Sequence, residues 1–445
     1  MRTTLWMASV LAAACLAVKP AASWPAPADP ARQVIYEVNL RQYTPEGTIA
    51  AFQEHLPRLR ELGVDILWLM PIHPIGEERR KGGLGSPYSV RDYRDVNPDL
   101  GTREDLRRLV ATAHALDMRV ILDWVANHCA WDNPIVREHP QWLTRGEDGQ
   151  PRPPVDDWSD VVDLDYERPD LRAWMIESLV FWLREADIDG YRCDVAGMVP
   201  TEFWEEARSR LEAVKPVFML AEWDDPALAG PFDMSYAWDL HRAGNAYMKG
   251  EASVARLDSL VAGEAERWPA GHLQMRFTTN HDENSWNGTE DERLGLAADA
   301  FSVLCWTLPG MPLIYSGQEA GLSHRLSFFE KDEIPWRGHP RAALFAALNR
   351  LKHTSPALWR AEAGAESYRR LSRGPAWSFL RLDASQHLLC AVNLSADPLD
   401  LEVEDPLLTG SWREWEDGRL SELAGRLRLE LPPWGWSIWR STGER

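Results

Sequence analysis

The chain has 445 residues, a formal net charge of −20, 26% charged and 45% hydrophobic side chains. That composition is globular rather than disordered, and the length allows one large domain beside a smaller one. So acidic a surface argues against nucleic acid or an anionic membrane as a partner and suits a neutral ligand.

Arg2 precedes an apolar run over 5–18, and Pro20-Ala21-Ala22-Ser23 follows. Residues 1–23 therefore read as a secretory signal, too short for a comfortable transmembrane helix. An exported protein is expected, periplasmic or extracellular, with no membrane insertion. Cys15 could carry a lipid anchor, but Ala12 stands where a lipobox usually has Leu.

Strand and helix patterns alternate from residue 33 onward. Residues 33–38 form a first strand, and Ile49, Phe52, Leu56, Leu59 and Leu62 then recur at helical spacing. Gly63 stops that helix, and 66–70 is a second strand. Residues 102–116 read as a helix with Thr102 as N-cap, and 119–122 as a third strand. From 128 to 166 the periodicity vanishes and Pro, Trp, Gly and Asp dominate, the mark of an inserted functional segment. Alternation then resumes: helix 170–186, strand 188–193, helix 202–214, strand 217–221, strand 232–235, strand 273–279, helix 294–307, strand 311–315 and helix 341–351. Eight strands with their helices predict an α/β fold, a (β/α)₈ TIM barrel over 24–357 with a short inserted domain at 128–166 after strand 3. Beyond 358 the strands at 376–382, 387–393, 399–403 and 434–439 predict a C-terminal antiparallel β-domain over 358–445.

Outside Cys15, the cysteines Cys129, Cys193, Cys305 and Cys390 match no zinc spacing. Cys193 and Cys305 lie in apolar segments and read as buried thiols, while a Cys129–Cys193 bridge stays open.

Four segments at strand ends carry the chemistry: Asp123-Trp124-Val125-Ala126-Asn127-His128, Gly190-Tyr191-Arg192-Cys193-Asp194, Met219-Leu220-Ala221-Glu222 and Asn280-His281-Asp282. Parallel barrel strands converge at their C-terminal face, so these acids are expected to meet there. Several carboxylates without a Cys/His metal cluster suggest glycoside chemistry, in which one acid protonates the leaving oxygen and another attacks the anomeric carbon. Side chains alternate along a strand, so Arg192 and Asp194 share a face and the guanidinium can hold the carboxylate ionised. Glu222 ends an apolar strand, where burial raises a carboxyl pKa and makes an acid. One histidine beside an Asn is more often structural; His128 and His281, each near an acid on a different strand end, point to hydroxyl binding.

These segments resemble the signatures of the α-amylase family of retaining glycoside hydrolases. Val162-Asp163-Leu164-Asp165 is similar to that family's extra signature, and Tyr88 in Gly85-Ser86-Pro87-Tyr88 to the tyrosine that stacks under the bound sugar. The resemblance implies Asp194 as nucleophile, Glu222 as general acid/base and Asp282 as the acid that grips ring hydroxyls. It also implies Arg192 orienting Asp194, with Asp123, His128 and His281 at the attacked sugar. A retaining pair stands about 5–5.5 Å apart. Trp158 and Trp286 are the sugar platforms expected among 23 tryptophans, and Trp124 packs behind the site. The family's Lys-His after the nucleophile is replaced by Val195-Ala196-Gly197-Met198, and the inserted segment is short. Both departures weaken the usual calcium site, for which Asn127 and Asp163 remain the candidate oxygen ligands. The expected activity is secreted α-amylase-type hydrolysis of α-1,4 bonds in starch or maltooligosaccharides. An α-glucosidase or glucanotransferase using the same residues is the alternative, and a non-catalytic sugar-binding scaffold the more distant one.

Overall fold

A computed structural model describes residues 30–360, 367–371 and 374–442; the expected signal segment 1–23 lies outside the described residues. Its strands are β1 (Ile35–Val38), β2 (Ile66–Leu69), β3 (Arg119–Trp124), β4 (His128–Ala130), β5 (Val161–Asp163), β6 (Gly190–Cys193), β7 (Phe218–Ala221), β8 (Met234–Tyr236), β9 (Leu273–Arg276) and β10 (Met311–Tyr315), followed by six in the C-terminal part. Eight close a parallel barrel in the order β1-β10-β9-β8-β7-β6-β3-β2. Ile35 is in register with Ile66 on one side and Leu313 on the other.

Strands buried on both faces read as unbroken apolar runs, which is why short segments such as Ile66-Leu67-Trp68-Leu69 were legible. Alternation assigns the two faces. Ile35, Ile66, Trp68, Ile121, Leu220, Met275 and Leu313 fill the barrel interior. Tyr36, Leu67, Val120, Tyr191, Met219 and Ile314 pack outward against the helices. The inward positions nearest the C-terminal end, Glu37, Asp123 and Arg192, are polar and fully buried. Gly190 opens β6 at φ 151, and a Cβ there would lie 1.9 Å from the Phe218 carbonyl oxygen, so only glycine lets β6 and β7 approach.

The inserted region is not structureless. β4 and β5 pair antiparallel, His128 opposite Asp163, around a helix Pro134–Glu138. The helix expected over 294–307 is interrupted: Glu290–Leu294 and Ala298–Thr307 flank a 3₁₀ turn at Gly295, whose φ of 54 and ψ of −132 break the α-helical path. The ninth strand stops at Arg276 rather than 279, because the chain leaves the sheet to form the site.

In the C-terminal part, β11 (Tyr368–Arg370), β12 (Ala376–Leu382), β13 (His387–Asn393), β14 (Leu399–Glu414), β15 (Leu420–Leu431) and β16 (Trp436–Ser441) form one antiparallel sheet, ordered β11-β12-β13-β16-β14-β15. Trp377, Phe379, Leu388, Cys390 and Val392 face the barrel's outer core. Leu380, Leu389, Ala391 and Trp439 face a separate small core. β15 was missed from the sequence: Leu420, Leu423 and Leu427 sit at helical spacing while Leu427, Leu429 and Leu431 alternate as in a strand, and pairing with β14 makes the whole segment a strand. Cys129, Cys193, Cys305 and Cys390 are free thiols, so the Cys129–Cys193 bridge left open above is not formed. Among the described residues, no helix is long and apolar enough to cross a membrane.

Candidate active site

Every site residue lies at or just beyond the C-terminal end of a barrel strand, or in a loop above it. Asp123 is on β3, Arg192 on β6, Asp194 one residue past β6 and Glu222 one past β7. Asn280, His281 and Asp282 follow β9, and Tyr88 lies in the loop after β2.

Arg192 is the hub and is fully buried. Its Nη1 donates to Asp123 Oδ1 at 2.8 Å and to Asp194 Oδ1 at 3.0 Å. Its Nε donates to Tyr236 Oη at 3.2 Å. Nη2 lies 2.9 Å from Glu222 Oε2, an ion contact too bent to count as a hydrogen bond. The guanidinium also lies over the Trp68 ring, 5.1 Å from its centroid. A buried cation among three carboxylates and aromatic faces is fixed in place as well as compensated.

Burial pushes the Asp194 carboxyl well above its ordinary value, and the neighbouring Glu222 charge adds to this while Arg192 opposes it. Burial likewise raises Glu222, against the pull of Arg192 and a hydrogen bond from the Val195 backbone. That bond, Val195 N–H to Glu222 Oε2, is 2.8 Å. Val195 reaches it from the left-handed region at φ 38, which is costly for a β-branched residue. Two acids pushed up together and repelling each other do not both ionise readily, which favours one proton held by the pair.

His128 is neutral, burial having lowered its pKa to about 3. Its Nδ1 accepts from the Asn127 amide at 3.3 Å, which leaves the proton on Nε2, 4.0 Å from Asp194 Oδ2. His281 is its opposite: Nδ1 is 2.5 Å from Glu37 Oε1, and Nε2 is 2.8 Å from Tyr88 Oη. Asp282 Oδ2 lies 3.4 Å from the same Nε2.

The cleft above these groups has a volume of about 560 Å³ and is lined by Tyr88, His128, Trp158, Asp194, Glu222, His281, Asp282 and Trp286, among others. Trp158 packs beside His128, ring centroids 5.4 Å apart. Trp286 stands opposite, 51% exposed and 5.1 Å from Phe328. Trp124 is fully buried behind the site, as expected. The fold thus brings together Asp194, Glu222, Asp282, Tyr88, Asp123, His128, Arg192, His281, Trp158 and Trp286.

Asn127 donates its amide N–H to His128 Nδ1, a bond that does not use its Oδ1, and the half-buried Asp163 is hydrogen-bonded to Thr144. Among the described residues, no three His, Cys, Asp or Glu side chains gather where an ion could sit, and calcium wants six to eight oxygens. Sequence reasoning missed four lining or supporting groups. Lys81, Phe328 and Phe329 lie on loops with no pattern of their own. Glu37 did carry a signal: it is the one charge inside the apolar first strand.

Chemically, two neighbouring buried carboxyls, both raised by burial and sharing one guanidinium, can hold a single proton between them, which is what a retaining double displacement needs. Comparison with known proteins agrees. The family model for the alpha amylase catalytic domain matches residues 27–151 and 155–366. The alpha-amylase MalA of Haloarcula japonica is 29% identical over 356 residues, covering 75% of this chain and 50% of its own. An alpha-1,4-glucan:maltose-1-phosphate maltosyltransferase of Rhodospirillum rubrum is 29% identical over 357 residues, covering 70% of this chain and 49% of its own. The chain spans about half the length of these curated relatives. A crystal structure of an alpha-amylase from Lactobacillus plantarum superposes with a TM-score of 0.83 at 32% identity, covering 93% of this chain and 99% of that one.

Proposed function

The chain belongs to the α-amylase family, and we propose that within it this protein hydrolyses α-1,4-glucosidic bonds of starch or maltooligosaccharides with retention of configuration. The observation that carries this reading is the single guanidinium of Arg192 shared by Asp123, Asp194 and Glu222 at the mouth of the barrel. Asp194 attacks the anomeric carbon while protonated Glu222 gives its proton to the departing glycosidic oxygen. Glu222, now ionised, takes a proton from water; the water oxygen bonds to the same carbon and Asp194 leaves. Asp282, 35% exposed at its side chain, and neutral His128 are free to bind sugar hydroxyls. Trp158 and Trp286 offer flat apolar faces to the rings on either side.

A second reading has one observation behind it. Val195-Ala196-Gly197-Met198 presents no polar side chain beside the nucleophile, and the Trp223 indole lies directly over Gly197. An apolar platform there would favour a sugar over water as acceptor, and several relatives are named maltosyltransferases. We also propose that the protein is exported, on the strength of residues 1–23.

The test is a time course of products from maltoheptaose, with wild type beside Asp194→Asn. Mixed short maltooligosaccharides from wild type alone support hydrolysis and the nucleophile assignment. Products longer than the substrate, present from the start, would turn the assignment to transfer. Unchanged digestion by Asp194→Asn would remove Asp194 from the mechanism.

A further inference from the structure

Glu37 is fully buried on β1, does not itself line the cleft, and has one oxygen, Oε2, without a hydrogen-bond partner. Its other oxygen lies 2.5 Å from His281 Nδ1 and 3.4 Å from the His281 backbone nitrogen. A buried carboxylate with an orphaned oxygen is expensive, so what it supplies is worth asking.

Hydrogen-bond bookkeeping along the chain of contacts gives the answer. Asp123 Oδ1 accepts from Arg192 at 2.8 Å, and Oδ2 accepts from Trp68 Nε1 at 3.1 Å. Tyr88 Oη lies 3.0 Å from that same Oδ2, and an ionised carboxylate can only accept, so the single Tyr88 proton points at Asp123. Tyr88 Oη must then accept at its other contact, 2.8 Å from His281 Nε2, and Nε2 must carry a proton. On the far side of the ring, Nδ1 faces Glu37 Oε1; burial raises the Glu37 carboxyl while His281 and Arg192 pull it back, and with Glu37 ionised Nδ1 donates as well. A ring that donates from both nitrogens is an imidazolium.

We propose that Glu37 is a positioning residue that keeps His281 doubly protonated, so that Nε2–H is a fixed, charged donor in the cleft. The groups facing the ring are Glu37 from β1, Tyr88 from the loop after β2, Asp123 from β3, Arg192 from β6, Glu222 after β7 and its own neighbour Asp282. The acids outnumber the one cation. Burial pushes the His281 pKa down, but Asp282 and Glu37 more than offset it and raise the value to about 9. The imidazolium accordingly persists through neutral pH and is lost as pH rises through about 9. Loss of the imidazolium thereby adds an alkaline limit to the one set by loss of the Glu222 proton, and Glu37 sets where the His281 limit falls.

This rests on the hydrolytic reading above for its kinetic arm only. Glu37→Gln preserves shape and an acceptor oxygen but removes the charge. If the ring reverts to an ordinary value near 6.5, the protonated fraction falls about thirtyfold at pH 8 and less than twofold at pH 6. The kcat/KM for maltoheptaose in the variant should follow that pattern, with the alkaline limb displaced downward. A loss equal at both pH values means that Glu37 only supports packing, and overturns the proposal. A second arm needs no substrate turnover: histidine ring resonances of the wild-type protein and of Glu37→Gln are titrated by NMR, with His281→Asn used for assignment. A His281 transition above pH 8 in wild type that falls in Glu37→Gln supports the proposal, and a wild-type transition at or below 6.5, or one that Glu37→Gln leaves in place, overturns it. If wild type leaves maltoheptaose intact, the substrate reading fails while the paired NMR titrations still decide the role of Glu37.

Discussion

Replacing Arg192 with Met keeps the length and apolar bulk of the side chain and deletes its charge. The wild-type guanidinium is the shared counter-ion of Asp123, Asp194 and Glu222, at 2.8, 3.0 and 2.9 Å. Removing one partner of a buried ion pair costs about 3–5 kcal/mol, chiefly because the remaining charge is stranded. Here protons can relieve the stranding. Arg192 lowers the pKa of all three acids, so its loss raises them further. Asp194 and Glu222 already lie above their unfolded values, so their ionisation already weakens the fold as pH rises above the unfolded carboxyl range. The variant widens that window upward. Each additional unit by which a folded-state pKa rises is worth about 1.4 kcal/mol at a pH where the group must ionise. The expected destabilisation is therefore about 3–5 kcal/mol at pH 8 and smaller by about 1–3 kcal/mol at pH 5, where the carboxyls can hold protons. Urea unfolding followed by tryptophan fluorescence at the two pH values measures both. An identical loss at pH 5 and pH 8 would falsify the assignment of Arg192 as the common counter-ion, and would leave only its stacking on Trp68.

Three further outcomes are expected. Gly190→Ala places a methyl 1.9 Å from the Phe218 carbonyl oxygen at a backbone angle hostile to side chains, and should cost more than about 3 kcal/mol; a wild-type melting temperature would refute the close β6–β7 packing. Trp158→Ala should raise KM for maltooligosaccharides about tenfold, the worth of one aromatic face, with kcat much less affected; a loss confined to kcat would mean that Trp158 supports His128 rather than sugar. Exhaustive treatment with EGTA should leave the thermal midpoint unchanged, since among the described residues no three His, Cys, Asp or Glu side chains gather around an ion position; a midpoint that falls on chelation and returns with added calcium would show that an ion site forms.

The sequence alone made the barrel legible and named the acids that the fold brings together. Parallel strands are apolar on both faces, so segments such as Met311-Pro312-Leu313-Ile314-Tyr315 announce themselves. The period of two that buries Ile121 also aims Asp123 inward, so acids at strand ends could be assigned to one site without coordinates. The same logic fails where burial is partial. β15 has leucines at spacings of three and four in its first half and of two from Leu427 to Leu431, a mixed pattern that pairing with β14 resolves as strand. The helix interrupted at Gly295 likewise depends on a backbone angle that no hydrophobic pattern encodes.

What only the tertiary structure decided is which charges meet. Residues 37, 88, 123, 192 and 281 are scattered along the chain, yet Glu37, Tyr88, Asp123, Arg192 and His281 form one hydrogen-bonded line across the barrel mouth. Whether a histidine is neutral, as His128 is, or charged, as His281 is, depends on a partner's distance and on burial. Both histidines look alike in sequence, each beside an asparagine and near an acid. Closure of the sheet brings Glu37 to one and not to the other, because Coulomb energies fall with separation in space and not with separation along the chain.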